Sequence, residues 1–210
     1  MDEFSGHRGD SPTMERAGER AAETPAKAPG GGVAEPSVVF GGEILIVDSA
    51  VADQTHLVDG RRPGIDVIRL QEGGRGLEQI AEQLGDRRMI TELHVLCHGE
   101  PGALLLAGDR VDLPALAMRP GVLAVISEAL DDSAVVALYG SSVAAGAVGL
   151  HFLDYLETVL GVAVAASAGP VGSAARGGAW MLRDRNGAVI ETAFSPIARA
   201  TYPALLAGGR

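Results

Sequence analysis

The chain has 210 residues, 17 of them basic and 27 acidic, and a formal net charge of −10. It therefore lacks the clustered Lys and Arg that nucleic acid or an anionic membrane surface demands. Its 47% hydrophobic content suits one globular domain plus a tail, but only 4% is aromatic, which leaves the core to Ala, Val, Leu and Ile. Cys97 is the sole cysteine, which excludes an intrachain disulfide and a multi-cysteine metal site.

Residues 1–40 mix charge with Pro, Gly, Ala and Ser and show no sustained apolar period, the composition of a disordered tail. Neither a signal-peptide h-region nor a run near the roughly 18 apolar residues of a membrane span is visible, so a cytoplasmic protein without membrane insertion is expected. From Glu43 the pattern changes. EILIVDSA predicts a buried parallel strand, and DVIRL at 66–70 a second. Leu77, Ile80, Ala81 and Leu84 recur at helical spacing, so 76–85 predicts an amphipathic helix stopped by Gly85.

Residues 92–97 predict a third strand, and ALLLAGDRVDL a hairpin hanging off the main sheet. A helical stretch follows over 115–130, broken at Pro120-Gly121. Residues 133–140 predict the fourth strand. Val148, Phe152, Leu156 and Val159 mark one face of the next helix, closed by Gly161, and 162–167 gives the fifth strand. Residues 178–184 and 187–193 predict an antiparallel hairpin, and 196–206 a short helix. The sum is one α/β domain over 43–206, with a mostly parallel sheet flanked by helices on both faces and a peripheral β-hairpin.

In such sheets chemistry gathers at the carboxyl ends of the strands. That rule selects Asp48-Ser49, His98-Gly99 and Gly140-Ser141-Ser142. His98 can serve as a general base near neutral pH, and Gly99 lets backbone N–H groups approach a substrate as an oxyanion hole requires. Ser141 would stand at a strand-to-helix turn near the positive end of a helix dipole. The plainer alternatives are a His-Gly turn and an N-cap at Ser141 or Ser142.

No Gly-x-Ser-x-Gly elbow, Walker loop or dinucleotide loop is present; Gly73-Gly74-Arg75-Gly76 has the wrong spacing. No cofactor or metal is expected. His94 shares a face with His98 by strand alternation and reads as a packed sheet residue. Arg61-Arg62 and Arg87-Arg88 read as solvated surface, His7 falls in the tail, and His56 and His151 have no pattern around them.

A resemblance rests on several of these segments together: Ile46-Val47-Asp48-Ser49-Ala50, Gly76-Leu77-Glu78-Gln79-Ile80, His98-Gly99-Glu100-Pro101-Gly102, Leu138-Tyr139-Gly140-Ser141, Val143-Ala144-Ala145-Gly146, residues 161–167 and Gly177-Gly178-Ala179-Trp180. With them the chain resembles a bacterial family of unknown function. That family is usually placed at the N-terminus of very large adhesin-like surface or secreted proteins with cadherin-type or calcium-binding repeats. It in turn resembles the caspase-like (clan CD) peptidases, whose shared pattern is a His-Gly after one strand and a Cys after the next.

The resemblance implies that His98 matches the catalytic histidine, Gly99 an oxyanion-hole amide, and Ser141 the nucleophile's position, where cysteine is the rule. Asp48, Gly140 and Ser167 are expected on the substrate-binding side, and the partner is a peptide or protein. The resemblance also allows secretion by a non-Sec route. Cys97 cannot replace the missing thiol, because it precedes the histidine and points to the opposite face.

A thiol near neutral pH is partly thiolate, whereas a serine hydroxyl needs a well-aligned base and a third group to orient that base. Only Asp48 and Glu100 offer themselves by proximity. Ser167-Ala168-Gly169-Pro170 also lacks the acidic or polar residue that often follows that serine in relatives. Three functions stay open: a peptidase-type domain that has lost its chemistry, a serine hydrolase using Ser141 and His98, and a non-catalytic adhesin or interaction module.

Overall fold

The computed structural model describes residues 39–208, so the tail expected over 1–40, with His7, lies outside the described residues except for Val39 and Phe40. In chain order the elements are β1 (Val39–Phe40), β2 (Glu43–Val47), α1 (Gln54–Asp59), β3 (Ile65–Arg69), α2 (Gly76–Leu84), β4 (Arg87–Arg88), β5 (Ile90–Leu96), β6 (His98–Glu100), β7 (Ala103–Leu106), β8 (Asp109–Asp112), α3 (Leu113–Ala117), α4 (Pro120–Ala129), β9 (Leu130–Leu138), α5 (Gly146–Leu160), β10 (Ala163–Ala165) and α6 (Pro196–Thr201).

Five strands form one parallel sheet in the order β10-β9-β5-β2-β3. Alternation along its three central strands decides what each face buries. Ile44 and Ile46 of β2, Leu93 and Val95 of β5, and Val136 and Leu138 of β9 join one core with α2, α4 and α5. Leu45 and Val47, Leu96, and Ala137 with the following Tyr139 join a second core with α1 and α6. Both faces are thus covered, as continuous apolar strands require. A separate antiparallel sheet, β6-β7-β8, supplies the peripheral hairpin. Among the described residues no helix is long and apolar enough to cross a membrane.

Several expectations need correction. The break expected at Pro120-Gly121 falls just before it: Pro120 opens α4 as its first residue, where a missing N–H costs nothing. On α5 the buried stripe is Gly149, Phe152, Leu153, Leu156 and Leu160, while Val148 is 56% exposed. Pairing between 178–184 and 187–193 shrinks to one antiparallel bridge, Arg183 with Val189, because the Arg183 backbone also bonds Ala166 beside β10.

The last helix stops at Thr201, since Pro203 biases Tyr202 away from helical backbone. The arginine pairs are tied down rather than free. Arg62 bridges Glu43 and Glu92, Arg61 bonds the Val58 and Ile65 carbonyls, Arg87 pairs with Asp66, and Arg88 bonds the Gly85 carbonyl.

Candidate functional site

The chain leaves β2 toward β3 on one side and returns through α2 to β5 on the other, so a crevice opens between the carboxyl ends of β2 and β5. Asp48 sits there, 1% exposed, and accepts the N–H groups of Ala50, at 2.9 Å, and of Ala107. It thereby ties the loop after β2 to the β7–β8 turn. The loop carries the Ala50 carbonyl to within 3.1 Å of His98 Nε2. A carbonyl only accepts, so the ring donates Nε2–H to it. Nδ1 is shielded from solvent and has no hydrogen-bond partner.

The end of β9 lies against the end of β5. Tyr139 donates its N–H to the Val95 carbonyl at 3.0 Å, and Gly140 follows against Gly99. The N–H of Gly99 and the N–H of Ser141 then point at the same acceptor, the Leu206 carbonyl oxygen, at 3.1 and 2.7 Å. Two backbone donors converging on one oxygen is the arrangement that stabilises a developing oxyanion. Sequence reasoning placed Gly99 there but gave no sign of what the amides bind.

Ser141 is 3% exposed, and its hydroxyl is engaged elsewhere. Oγ accepts the Val171 N–H at 2.9 Å and lies 3.4 Å from the Val171 carbonyl; no hydrogen bond joins it to His98. Ser142 takes left-handed backbone, φ 61°, in the turn that follows. Helix α5 begins only at Gly146, with Ala145 before it, so neither serine is its N-cap and the dipole reasoning for Ser141 falls.

The remaining expected site residues serve the backbone. Ser167 Oγ accepts the Gly169 N–H at 3.1 Å and its carbonyl accepts the Ala144 N–H at 3.0 Å, shaping the wall beside Ser142. Gly140 provides close approach, and Asp48 holds two turns together. Glu100 is paired with Arg110, 3.1 Å distant on β8. Cys97 is fully buried in the core beneath α2 and α4; burial first, and then the Asp48 charge, push its thiol far up from the ordinary range.

The residue that orients His98 was missed, because a backbone carbonyl can come from any residue and leaves no type signal. The same holds for Leu206. Its one trace was Pro203, which ends the helix before it.

On the β2–β5–β9 surface above the second core lies a polar cluster of half-buried charges around the buried His94. His94 is fully buried; its Nδ1 is 3.2 Å from Tyr139 Oη, and its Nε2 is 3.0 Å from Glu92 Oε2 but off the line of a hydrogen bond. Glu43, Glu92 and His94 bring one potential metal-ligand atom each to within 4.8 Å of one another. The Arg62 guanidinium, 2.7 Å from both carboxylates, already supplies the positive charge a cation would bring. Desolvation, with Arg62 adding to it, lowers the His94 pKa to about 4. Desolvation raises that of Glu43. Elsewhere, His56 Nε2 meets the Ala198 carbonyl at 3.1 Å and Thr201 Oγ1 at 3.0 Å, fastening α1 to α6, and His151 is exposed.

No curated protein matches the chain. A family described as "Domain of unknown function (DUF4347)" matches residues 44–206, which include every expected site residue from Asp48 to Ser167 and the Leu206 carbonyl. The chain belongs to that family.

Proposed function

We propose that residues 43–206 form a caspase-like (clan CD) peptidase-type domain that has kept the peptide-binding frame and lost the thiol chemistry. One observation carries this reading: the amides after His98 and Gly140 converge on a single peptide carbonyl oxygen. A hydrolase acting on peptides needs that feature, and a plain strand-end turn has no use for it. His98 adds a second support. Its Nε2 is fixed on the Ala50 carbonyl, which leaves Nδ1 as the atom able to take or give a proton.

In a thiol-bearing relative of this geometry, the sulfur at position 141 would attack the carbonyl carbon and the amide pair would hold the oxyanion. The imidazole would take the thiol proton and pass it to the departing amine as the C–N bond breaks. Water would then hydrolyse the thioester, releasing the acyl group and restoring the thiol. Ser141 departs from this at the first step. Its hydroxyl is a poor nucleophile without an aligned base, and here it is bonded to Val171 instead of His98. That favours a non-catalytic peptide-holding role over a serine hydrolase, and it keeps open a place as an interaction module of a larger surface protein.

The test is Ser141→Cys in the full chain. Alkylation of the introduced thiol at neutral pH is expected to run faster than for an ordinary cysteine, with cleavage of peptides gained. His98→Ala should abolish both. An introduced thiol that reacts equally fast with and without His98 would remove the support for a peptidase-type site.

A further inference from the structure

We propose that the crevice between β6 and residues 171–173 is a groove for one extended polypeptide, and that the chain fills it in cis with its own residues 204–208. This rests on the peptidase-type reading of the amide pair and names the ligand class and the means by which the site is closed.

The segment is held by a row of main-chain hydrogen bonds, with the Leu206 side chain buried beneath it. The Ala204 carbonyl accepts the Ser173 N–H at 2.8 Å, the Leu206 N–H donates to the Val171 carbonyl at 2.9 Å, and the Gly208 N–H donates to the Gly99 carbonyl at 3.1 Å. Leu205 bridges Gly172 in antiparallel fashion and Ala207 bridges Gly99 in parallel fashion. One strand thus adds between two edges, the mode in which an extended peptide is recognised independently of most of its side chains. At its centre the Leu206 carbonyl takes both site amides, as a substrate carbonyl would.

The groove walls are built for close backbone approach. A side chain at Gly172, whose φ is +125°, would place its Cβ 2.3 Å from the Ala204 carbonyl oxygen. One at Gly178 would fall 2.7 Å from Leu205 Cδ2. Side-chain selection enters at one point. Leu206 is fully buried in the cluster that includes Val51, Leu57 and Tyr139, while the following Ala207 is exposed. The groove therefore takes an extended peptide with an aliphatic residue at the carbonyl-bearing position and makes no side-chain selection at the exposed position after it. An external peptide must first displace 204–208.

A strand that is simply part of the core would open only with the whole sheet, and amide hydrogen exchange in the full-length chain separates the two cases. The amides of Gly99, Ser141 and Leu206 are expected to share one opening event and to exchange at least ~10-fold faster than those of Ile44 and Ile46 in β2. In Leu206→Asp, a fluorescein-labelled Ala-Leu-Leu-Ala-Gly peptide should bind and restore protection at positions 99 and 141, with the unaltered chain binding at least ~10-fold more weakly.

Exchange of the three amides only at the rate of β2 would overturn the proposal, and this arm needs no variant to fold. So would a folded Leu206→Asp chain that ignores the peptide. The outcome is separable from that of the site itself. A His98-dependent thiol at position 141 with no independent opening would sink the groove alone, and an opened groove whose introduced thiol ignores His98 would sink the peptidase-type reading.

Discussion

A Cβ on Gly99 would come within 2.7 Å of the Gly140 Cα and 2.6 Å of Val143 Cγ2, so β6 and the turn after β9 meet backbone against backbone. This contact sets the spacing of the two amides that share the Leu206 carbonyl. Gly99→Ala must push these two segments apart, at a cost of about 1–3 kcal/mol in unfolding free energy. Urea denaturation checks it. A change within a few tenths of a kcal/mol would mean that the contact is soft and does not fix the amide spacing.

The buried Asp48 carboxylate accepts two backbone N–H groups, and an amide can accept only with its oxygen. Asp48→Asn turns an NH2 toward one of those donors and leaves it unsatisfied. The expected loss is about 1–3 kcal/mol. It should appear in denaturant melts together with faster amide exchange at Ala50 or Ala107, whichever donor the amide group faces.

His94 carries the protein's clearest pH dependence. Its folded pKa, about 4, lies below the 6.5 of the free side chain, so the unfolded chain binds the proton first as pH falls. Stability from this group is complete above pH 6.5 and drains away between 6.5 and 4, by on the order of 3 kcal/mol in all. In His94→Gln that part of the slope should vanish. Thermal melts of both chains across the window decide it; parallel curves would assign the slope to other groups.

Cys97 should be chemically silent. Its burial and the neighbouring Asp48 charge hold the thiol protonated, so a disulfide reagent is expected to find far less than one thiol per native chain and one after unfolding. Rapid reaction in the folded state would show that the core beneath α2 opens readily. It would also remove the silent background on which thiol tests at position 141 depend.

The parallel sheet was legible because β2, β5 and β9 are apolar on both faces, a pattern that few other structures satisfy. Helix α2 was legible from its period and its glycine stop. Once the parallel sheet was expected, the strand-end rule pointed to His98, Gly99 and Ser141 as candidates, and the structure brings the Gly99 and Ser141 amides together.

Three things escaped the sequence. His98-Gly99 reads as a turn after the third strand, yet His98–Glu100 forms β6 and pairs with β7, a change that depends on the hairpin it joins. Arg62, Glu43, Glu92 and His94 are far apart along the chain and meet only through strand register. The partners of His98 and of the two amides are main-chain carbonyls, for which residue type carries no information.

The hold on His98 has a consequence of its own. A peptide carbonyl does not titrate, and no side-chain substitution can delete it, so position 50 is free to vary while the imidazole stays aimed. A histidine oriented by a carboxylate loses its guide to one mutation or to acid. This one loses it only if the loop itself is rebuilt, which shifts the vulnerability to Asp48, the residue that pins the loop in place.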